Sequence, residues 1–250
     1  MSALIVIPAR LASSRLPEKL LQKVGGKSVL HHTYLQATQS RVAQGVVVAV
    51  DHQRLADEVE QFGGKWIMTS ESCASGTDRI AEVAAAMPDV DVFVNVQGDE
   101  PEIDPATIDA VAQLLLSDSQ ADMATVGVPL RNADALADPN QVKIVMGTGG
   151  RAVTFSRAAV PFARDGVSDE LLNAEPPIFW HHVGLYAYRR EFLDWFCSQP
   201  PSPLETTEKL EQLRAIEAGK RIVVTRVESN AAGIDTSTDL EAFRVRFANA

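Results

Sequence analysis

The sequence predicts an α/β fold in which a mainly parallel sheet is flanked by helices. Short apolar runs rich in β-branched residues alternate with longer stretches of helical periodicity, and this alternation indicates right-handed strand–helix–strand units. The apolar runs end in glycine, proline or acidic residues, as strands do where they enter loops. With 250 residues, of which 46% are hydrophobic and 22% charged, the chain is long enough for one large domain of this class.

The alternation is clearest in the first half of the chain. Strands are predicted at residues 4–7, 46–50, 66–68 and 92–96. Helices are predicted at residues 28–41, 53–62, 77–87 and 105–116. The loop at 9–27, between the first strand and the first helix, is unusually long for such a unit.

The second half of the chain departs from strict alternation. Further strands are predicted at residues 124–130, 142–146, 152–156, 178–188 and 222–227. Further helices are predicted at residues 191–197, 204–218 and 238–248, the second of them ended by Gly219. Residues 158–177 contain three prolines and little periodicity, so we interpret them as an excursion that serves as a lid, a dimer arm or both. Without repeats or linkers, residues 1–250 are predicted to form a single domain.

Charge and cysteine content exclude several classes of protein. The 23 basic and 33 acidic residues give a net charge of −10, which argues against a general binder of nucleic acid or of membrane surfaces. Cys73 and Cys197 are 124 positions apart and belong to no metal-binding pattern, so they are predicted to be reduced structural thiols. The N-terminal apolar run is far shorter than a membrane span, and we expect a cytoplasmic protein.

The loop at 9–27 concentrates positive charge in an otherwise acidic chain. Its five cations are Arg10, Arg15, Lys19, Lys23 and Lys27. A loop after the first strand of such a sheet is a common cradle for phosphates, to which arginine and lysine add charge. The patterns GxxxxGK[ST] and GxGxxG are absent from it, which weakens the P-loop and dinucleotide-binding interpretations. The alternative is a solvated basic loop without a ligand.

Two aspartates each close an apolar or glycine-containing run, and the sequence alone leaves open whether they meet. The strand at 92–96 breaks into Gln97-Gly98-Asp99-Glu100-Pro101, and Asp235 precedes the last helix. Ligands bind outside the carboxyl ends of strands in open α/β sheets, and paired carboxylates suit Mg²⁺ together with phosphate oxygens and water. The alternative for Asp235 is a structural residue before a helix capped by Thr236 or Ser237.

Several motifs together resemble one family. IPARLASSRLPEK, SGTDR, NVQGDEP, SRAAVP, HHVGLYAYR, PSPLE with LEQLR, and GIDTSTDLE stand in the order typical of 3-deoxy-manno-octulosonate cytidylyltransferases. The resemblance implies a Rossmann-like nucleotidyltransferase domain of the GT-A-like type, with a small dimerisation lobe to which residues 158–188 contribute. It also implies a homodimer that uses CTP, the sugar acid Kdo and Mg²⁺, and that forms CMP-Kdo and pyrophosphate for lipopolysaccharide synthesis.

The resemblance assigns roles to individual residues of this chain. It places Arg10 and Lys19 on the triphosphate, and Asp99 and Asp235 on Mg²⁺, while Glu100 is left as a non-ligand. It places around the cytidine Ala9, Ser75, Gly76 and Arg79. It places around the sugar acid Gln97, Arg157, His182, Tyr186, Glu211 and Gln212. The expected reaction is an in-line attack of the sugar 2-hydroxyl on the α-phosphorus with two-metal assistance.

The sugar-side residues leave alternatives open. His182 stands in an apolar strand and could be a hydrogen-bonded core histidine, although strand geometry puts it on the same face as Tyr186. Glu211 and Gln212 lie on a polar face of their predicted helix, and such a face ordinarily points to solvent. His181 and residues 161–165 depart from the family pattern. An amino-substituted relative of Kdo is therefore an alternative substrate.

Three other functions compete with this hypothesis. A CMP-sialic acid synthetase would share the IPAR start, but Arg15-Leu16-Pro17 and HHVGLYAYR favour the Kdo type. A nucleotide-sugar glycosyltransferase of related fold would carry DxD after a strand, whereas the DxD at residues 89–91 precedes one. A non-catalytic regulator would bind CTP without releasing pyrophosphate.

Overall fold

The strands form one large twisted sheet and one short hairpin. The computed structural model describes residues 1–73 and 75–249. Its strands, in chain order, are β1 (Ala3–Ala9), β2 (Lys23–Val24), β3 (Lys27–Ser28), β4 (Val46–Val50), β5 (Trp66–Met68), β6 (Val92–Asn95), β7 (Met123–Pro129), β8 (Lys143–Met146), β9 (Ala152–Ser156), β10 (Trp180–Arg189) and β11 (Ile222–Arg226).

The main sheet is parallel except around one long strand. Its order is β11-β7-β10-β6-β1-β4-β5, and β10 runs antiparallel to both of its neighbours. The strands β8 and β9 extend the sheet sideways from β10 as an antiparallel pair. Strand β1 pairs with β4 on one side and with β6 on the other, and the chain connects to β4 first. The strand order therefore reverses at β1, and a crevice opens between the carboxyl ends of β1 and β6.

The described part of the chain has ten α-helices, six of which pack on the two faces of the sheet. They are α1 (Val29–Ala37), α2 (Gln53–Gln61), α3 (Gly76–Ala86), α4 (Pro105–Ser117), α5 (Ala133–Ala137), α6 (Asp169–Leu172), α7 (Arg190–Ser198), α8 (Pro203–Glu208), α9 (Gln212–Glu217) and α10 (Ser237–Ala248). Side chains of α1, α2 and α4 pack into one core cluster, and those of α3, α7 and α9 pack into another.

Strand alternation explains why these central strands are apolar throughout. Along β1, Ile5 and Ile7 belong to the first cluster, whereas Leu4 and Val6 belong to the second. Both faces of a parallel strand are covered by helices, so every position is buried and β-branched residues are favoured. The predicted fold class is confirmed: the sheet is mainly parallel, and helices flank it.

The prediction of one continuous helix at 204–218 is wrong. The chain forms α8 and α9 instead, separated at Lys209, whose φ of 54° lies in the left-handed region. The break allows Leu210 to bury its side chain in the second core cluster, and it points Glu211 towards α3. Burial of this apolar side chain outweighs the left-handed backbone, which costs on the order of 1–2 kcal/mol.

The loop at 9–27 is also more ordered than the sequence predicts. A single 3-10 turn at Lys19–Leu21 is followed by the hairpin β2–β3, which turns at two glycines with positive φ. Lys23 and Lys27 lie in this hairpin and do not line the cavity that contains Arg10. The three cations predicted to form the phosphate cradle, Arg10, Arg15 and Lys19, all line that cavity.

Residues 157–179 leave the sheet between β9 and β10, as the prolines indicate. The segment contains α6 and exposes Phe162, which is 85% accessible. Leu172 and Phe179 pack with Leu130 and Leu136 in a small separate cluster, so the segment is anchored at its far end. The predicted dimerisation role of residues 158–188 stays a prediction.

Two further expectations concern cysteines and membranes. Cys73 and Cys197 are both free thiols, as the sequence predicts. Within residues 1–73 and 75–249, no helix has both the length and the apolar character that a bilayer span requires.

A buried ion pair holds α8 against α9 across the break. Arg214 donates Nε and Nη2 to the two carboxylate oxygens of Glu205, at 2.7 and 2.6 Å, and both side chains are about nine-tenths buried. Burial acts to raise the pKa of Glu205, but hydrogen bonds from Arg214 and Ser202 outweigh it and leave that pKa below its usual value. The pair is therefore ionised at neutral pH, and it fixes the loop that carries Glu211.

Glu205→Gln should lower the free energy of unfolding by about 3 kcal/mol at pH 7, because it leaves the buried Arg214 charge unpaired. The difference from wild type should shrink below about pH 4.3, where the unfolded carboxyl also binds a proton. Urea unfolding measures both effects. The matched control is Glu241→Gln, which breaks the exposed pair with Arg244 and should cost under about 0.5 kcal/mol; equal losses in the two variants would contradict the assignment.

Candidate active site

The site lies where β1 and β6 end side by side. The backbone N–H of Val96 donates to the Val6 carbonyl at 3.1 Å, so the two strands leave the sheet side by side. A Cβ on Gly98 would stand 3.2 Å from the Pro8 carbonyl oxygen and 3.4 Å from Leu20, a fit that only glycine makes comfortably. The loop after β1 and the turn before Asp99 are thereby held in contact.

The two predicted metal ligands meet at this edge. The backbone N–H of Ile234 donates to the Asp99 carbonyl at 2.8 Å and ties the two acidic segments together. The Lys19 ammonium donates to both carboxylates, to Asp99 and, at 2.9 Å, to Asp235. Arg15 pairs with the other oxygen of Asp235 at 3.0 Å. The two carboxylates, whose meeting the sequence left open, therefore converge with a cation between them.

The donor set is compatible with a divalent cation that brings other ligands with it. Burial acts to lower the pKa of Lys19, but Asp99 and Asp235 outweigh it and raise that pKa, so the ammonium stays charged. Within the described residues, no cluster of three or more acidic, histidine or cysteine side chains could hold a metal. Two carboxylates leave most positions of a magnesium shell to phosphate oxygens and water, as Mg²⁺ commonly prefers.

Glu100 differs from its neighbour Asp99 in environment. Its Oε2 is buried without a hydrogen-bond partner among the described residues. Burial, with the charge of Asp99 as a second cause, raises the pKa of Glu100 to about 8. That Glu100 is a non-ligand stays a prediction.

A cavity of about 320 Å³, here called the loop cavity, opens above the two aspartates. Its lining includes Arg10, Lys19, Ser75, Gly76, Arg79 and Asp235. Ser75 caps α3 by a reciprocal capping box with Asp78, which fixes this helix N-terminus at the cavity wall. Ala9 lies beneath the wall and is fully buried.

Arg79 is held rigidly at the wall of the loop cavity. Its guanidinium donates to Thr69 and to Asp51, the latter at 3.3 Å. Asp51 also accepts the backbone N–H of Leu11 at 2.9 Å, so one carboxylate joins Arg79 to the loop after β1. Sequence reasoning missed Asp51, although an acidic residue directly after the strand β4 has the same pattern as Asp99 after β6.

A second cavity of about 380 Å³, here called the inner cavity, adjoins the first. It is lined by five of the six residues predicted around the sugar acid, Gln97, His182, Tyr186, Glu211 and Gln212. Gln97, Gly76 and Glu211 line both cavities. Ligands bound in the two cavities would therefore meet beside Gln97.

His182 and Tyr186 stand together on the wall of the inner cavity. Strand β10 has a bulge between Val183 and Tyr186, and the two rings are 5.3 Å apart. The Nε2 of His182 lies 3.0 Å from the Thr125 hydroxyl. Burial, with His181 as a second cause, lowers the pKa of His182 to about 3, and burial raises that of Tyr186 well above its usual value. Both rings are therefore neutral hydrogen-bonding groups.

Glu211 and Gln212 are not on a solvated helix face, because the helix breaks before them. Thr77 on α3 donates to Glu211 at 2.9 Å, and the Tyr186 hydroxyl donates to the Gln212 side-chain oxygen at 3.5 Å. Burial raises the pKa of Glu211. Only the family resemblance pointed to the cavity here; the helical pattern alone gave the wrong position.

Arg157 is the predicted residue that the structure does not bring to the inner cavity. Its guanidinium donates to the carbonyls of Glu208, at 2.7 Å, and Pro139, at 2.9 Å. Its role on the sugar carboxylate stays a prediction. The inner cavity also contains Asn95, Thr77 and Tyr188, which sequence reasoning missed; a single Asn inside the apolar run of β6 was the available signal.

A charged cradle beside a second polar cavity, at the carboxyl edge of a mainly parallel sheet, is the layout of a nucleotide-dependent α/β enzyme. A model of the cytidylyltransferase family matches residues 4–222. The chain is 62% identical over 246 residues to the 3-deoxy-manno-octulosonate cytidylyltransferase of Rhodopirellula baltica, with 98% of each chain covered. It therefore belongs to the family of 3-deoxy-manno-octulosonate cytidylyltransferases, which confirms the resemblance seen in its motifs.

More distant relatives agree with this assignment. An enzyme of the same name from Acidithiobacillus ferrooxidans is 45% identical over 253 aligned residues, covering 99% of this chain and all of the relative. A solved structure of CMP:2-keto-3-deoxy-manno-octonic acid synthetase complexed with CTP matches with a TM-score of 0.92 at 39% identity, covering 100% of this chain and 99% of the other. A solved structure of a cytidylyltransferase from Leptospira borgpetersenii shares the fold, with a TM-score of 0.67 at 16% identity. The match covers 100% of this chain and 88% of the other.

The depressed pKa of His182 predicts a specific pH dependence of stability. Below about pH 6.5 the unfolded chain protonates this imidazole while the folded protein does not, so acid favours unfolding. Relative to His182→Gln, wild type should lose about 1.4 kcal/mol of unfolding free energy per pH unit below pH 6. Urea unfolding of both proteins from pH 8 to pH 4.5 tests this, and parallel curves would show that His182 titrates normally.

Proposed function

We propose that this chain transfers CMP from CTP to the anomeric 2-hydroxyl of Kdo, giving CMP-Kdo and pyrophosphate for lipopolysaccharide synthesis. The observation that carries the proposal is the junction of the loop cavity with the inner cavity at Gln97, beside Asp99. A nucleotide in the first cavity and a sugar acid in the second would bring their reacting atoms to this junction. The names of the relatives favour Kdo over the sialic acid alternative.

Positioning and charge would do most of the work in this reaction. Arg10 and Lys19 line the loop cavity and would neutralise the triphosphate, while Arg79 and the N-terminus of α3 would hold the nucleoside side. Asp99 and Asp235 would hold Mg²⁺, which lowers the pKa of a bound hydroxyl and offsets charge on the phosphates. Lys19 pairs with both aspartates and Arg15 pairs with Asp235.

His182 and Tyr186 are not suited to act as the general base for the sugar acid. His182, with a pKa of about 3, binds a proton too weakly, and Tyr186 holds its own proton too tightly. Their neutral rings instead orient the sugar acid by hydrogen bonds.

Three finer features belong to the same proposal. The dependence on Mg²⁺ is supported by the two carboxylates, which lie close enough to share one cationic group. A homodimer formed through residues 158–188 is supported by the exposed Phe162 and Val167. A cytoplasmic location is supported by the substrate CTP, which is a nucleotide of the cell interior.

Asp99→Asn should reduce pyrophosphate release from CTP and Kdo by at least about a thousandfold, because one of the two carboxylates for Mg²⁺ is lost. Pyrophosphate is measured with and without Mg²⁺ and with Kdo, sialic acid or no acceptor. The control Asp89→Asn makes the same change at an exposed side chain away from the site and should keep full activity. Near-normal turnover of Asp99→Asn would contradict the metal assignment, and pyrophosphate release only with sialic acid would contradict the substrate.

Arg10→Ala should mainly impair the use of CTP, raising its KM by about tenfold or more, because a charged contact to the triphosphate is lost. The KM for Kdo should change far less. Arg41→Ala removes an exposed arginine outside both cavities and provides the matched control. An unchanged CTP dependence in Arg10→Ala would show that the loop after β1 is not the phosphate cradle.

A further inference from the structure

Two groups of paired charges flank the loop after β1 at the carboxyl edge of the sheet. After β6, Lys19 pairs with Asp99 and Asp235. After β4, Arg79 pairs with Asp51 at 3.3 Å. Strand β1 lies between β4 and β6, so the two groups are separated by two strand spacings, or roughly 10 Å. Lys19 and Arg79 both line the loop cavity, so a nucleotide bound there meets one group on each side.

The pair of Arg79 with Asp51 is the more deeply buried of the two groups. The side chains of Arg79 and Asp51 are 6% and 13% exposed, whereas those of Asp99 and Asp235 are 26% and 45% exposed. Arg79 lines the loop cavity, while Asp51 lines a different cavity, which it shares with His52. The loop cavity is therefore bounded by an arginine whose charge is neutralised from behind.

Asp51 controls the net charge at Arg79 more than it controls the position of this side chain. The guanidinium also donates to the Thr69 hydroxyl, which itself donates to the Val50 carbonyl at 3.0 Å. These bonds hold the arginine independently of Asp51. The second oxygen of Asp51 accepts the backbone N–H of Leu11 at 2.9 Å, a contact that an asparagine oxygen can also make.

The distribution of net charge decides where a triphosphate lies in the loop cavity. With Arg79 neutralised, the attraction comes from the loop after β1, whose Arg10, Arg15 and Lys19 outnumber the two aspartates beside them. Without the Asp51 carboxylate, Arg79 would be a second positive pole on the opposite side. Because it is buried, its charge would act there with little screening by water.

We propose that Asp51 is a positioning residue that sets the direction of CTP in the loop cavity. It cancels the charge of Arg79, so the triphosphate lies towards Lys19 and Asp99 and the nucleoside lies against Arg79. This inference rests on the proposed function, in which CTP occupies this cavity, and it adds a residue that acts only through another side chain. Arg79 then serves the nucleoside as a hydrogen-bond donor and does not clamp phosphate.

The first test uses inorganic triphosphate, which carries no nucleoside and reports only on the charge of the cavity. Asp51→Asn keeps an oxygen for Leu11 and removes the charge. The variant should bind inorganic triphosphate about tenfold more tightly than wild type, because Arg79 becomes an unpaired cation. Titration calorimetry of the full chain without Mg²⁺ measures this affinity. Unchanged or weaker binding by the folded variant would overturn the inference.

The matched control removes the same charge away from the cavity. Asp57 is exposed on α2, where its carboxylate accepts a hydrogen bond from Gln53. Asp57→Asn should leave the affinity for inorganic triphosphate within about twofold of wild type, since water and salt screen an exposed charge. Equal tightening in Asp57→Asn and Asp51→Asn would show a general effect of net charge and would overturn the role of Asp51.

Turnover gives a second readout, which a purely structural role would not produce. CTP bound to Asp51→Asn in the reverse direction occupies the cavity without reacting. Both kcat and the KM for CTP should therefore fall by about tenfold, which leaves kcat/KM nearly unchanged. A residue that only supports the fold would lower kcat/KM instead, so a lower kcat with an unchanged or raised KM would overturn the inference.

A double variant decides the question if Asp51→Asn does not fold. Asp51→Asn combined with Arg79→Gln leaves no unpaired buried charge at this position. Because the wild-type pair has no net charge, the double variant should bind inorganic triphosphate within about threefold of wild type. A larger loss of affinity would show that Arg79 itself binds the phosphates and would overturn the inference. Absence of pyrophosphate release from CTP and Kdo by wild type would contradict the proposed function, whereas these affinities test Asp51 separately.

Discussion

The pairing of β1 with β6 is the constraint on which the rest of the site depends. Its register sets Val6 opposite Asn95, and both faces of these strands are buried. A slip by one residue would exchange the two faces and move the Asn95 side chain out of the inner cavity into the apolar core beside Val94. The same pairing sets the loop of Arg10 beside the turn of Asp99. The loop cavity and the inner cavity therefore both depend on the pairing of these two strands.

Much of this arrangement could be predicted from the sequence because it depends on local pattern and chain order. The β-branched runs identify β4 and β6, and the parallel alternation then requires the residues that follow them to meet at one edge. Asp99 was expected at this edge for that reason, whereas the sequence alone could not show that Asp235 meets it there. The Lys19 ammonium between them was not expected either, because the direction of a long side chain depends on contacts 80 and 216 residues away along the chain.

The parts that could not be predicted are those where tertiary contacts override a local preference. Residues 204–218 have the periodicity of one helix, and no glycine or proline marks Lys209 as its break. The left-handed turn there is stabilised by burial of Leu210 and by the pair of Glu205 with Arg214, neither of which is visible without the fold. The position of Glu211 and Gln212 in the inner cavity follows from this turn. Only the family resemblance could anticipate it.

Burial sets the inner cavity apart from the loop cavity. It lowers the pKa of His182 and raises those of Tyr186, Tyr188 and Glu211, and each of these shifts favours an uncharged group. At the loop cavity the opposite occurs, because Asp99 and Asp235 outweigh burial and keep Lys19 charged. Recognition by His182 and Tyr186 must then depend on the direction of hydrogen bonds rather than on charge. Lys209 also lines the inner cavity, so a carboxylate on the sugar acid would find a counter-charge there as well as at the rim, towards the cations of the loop.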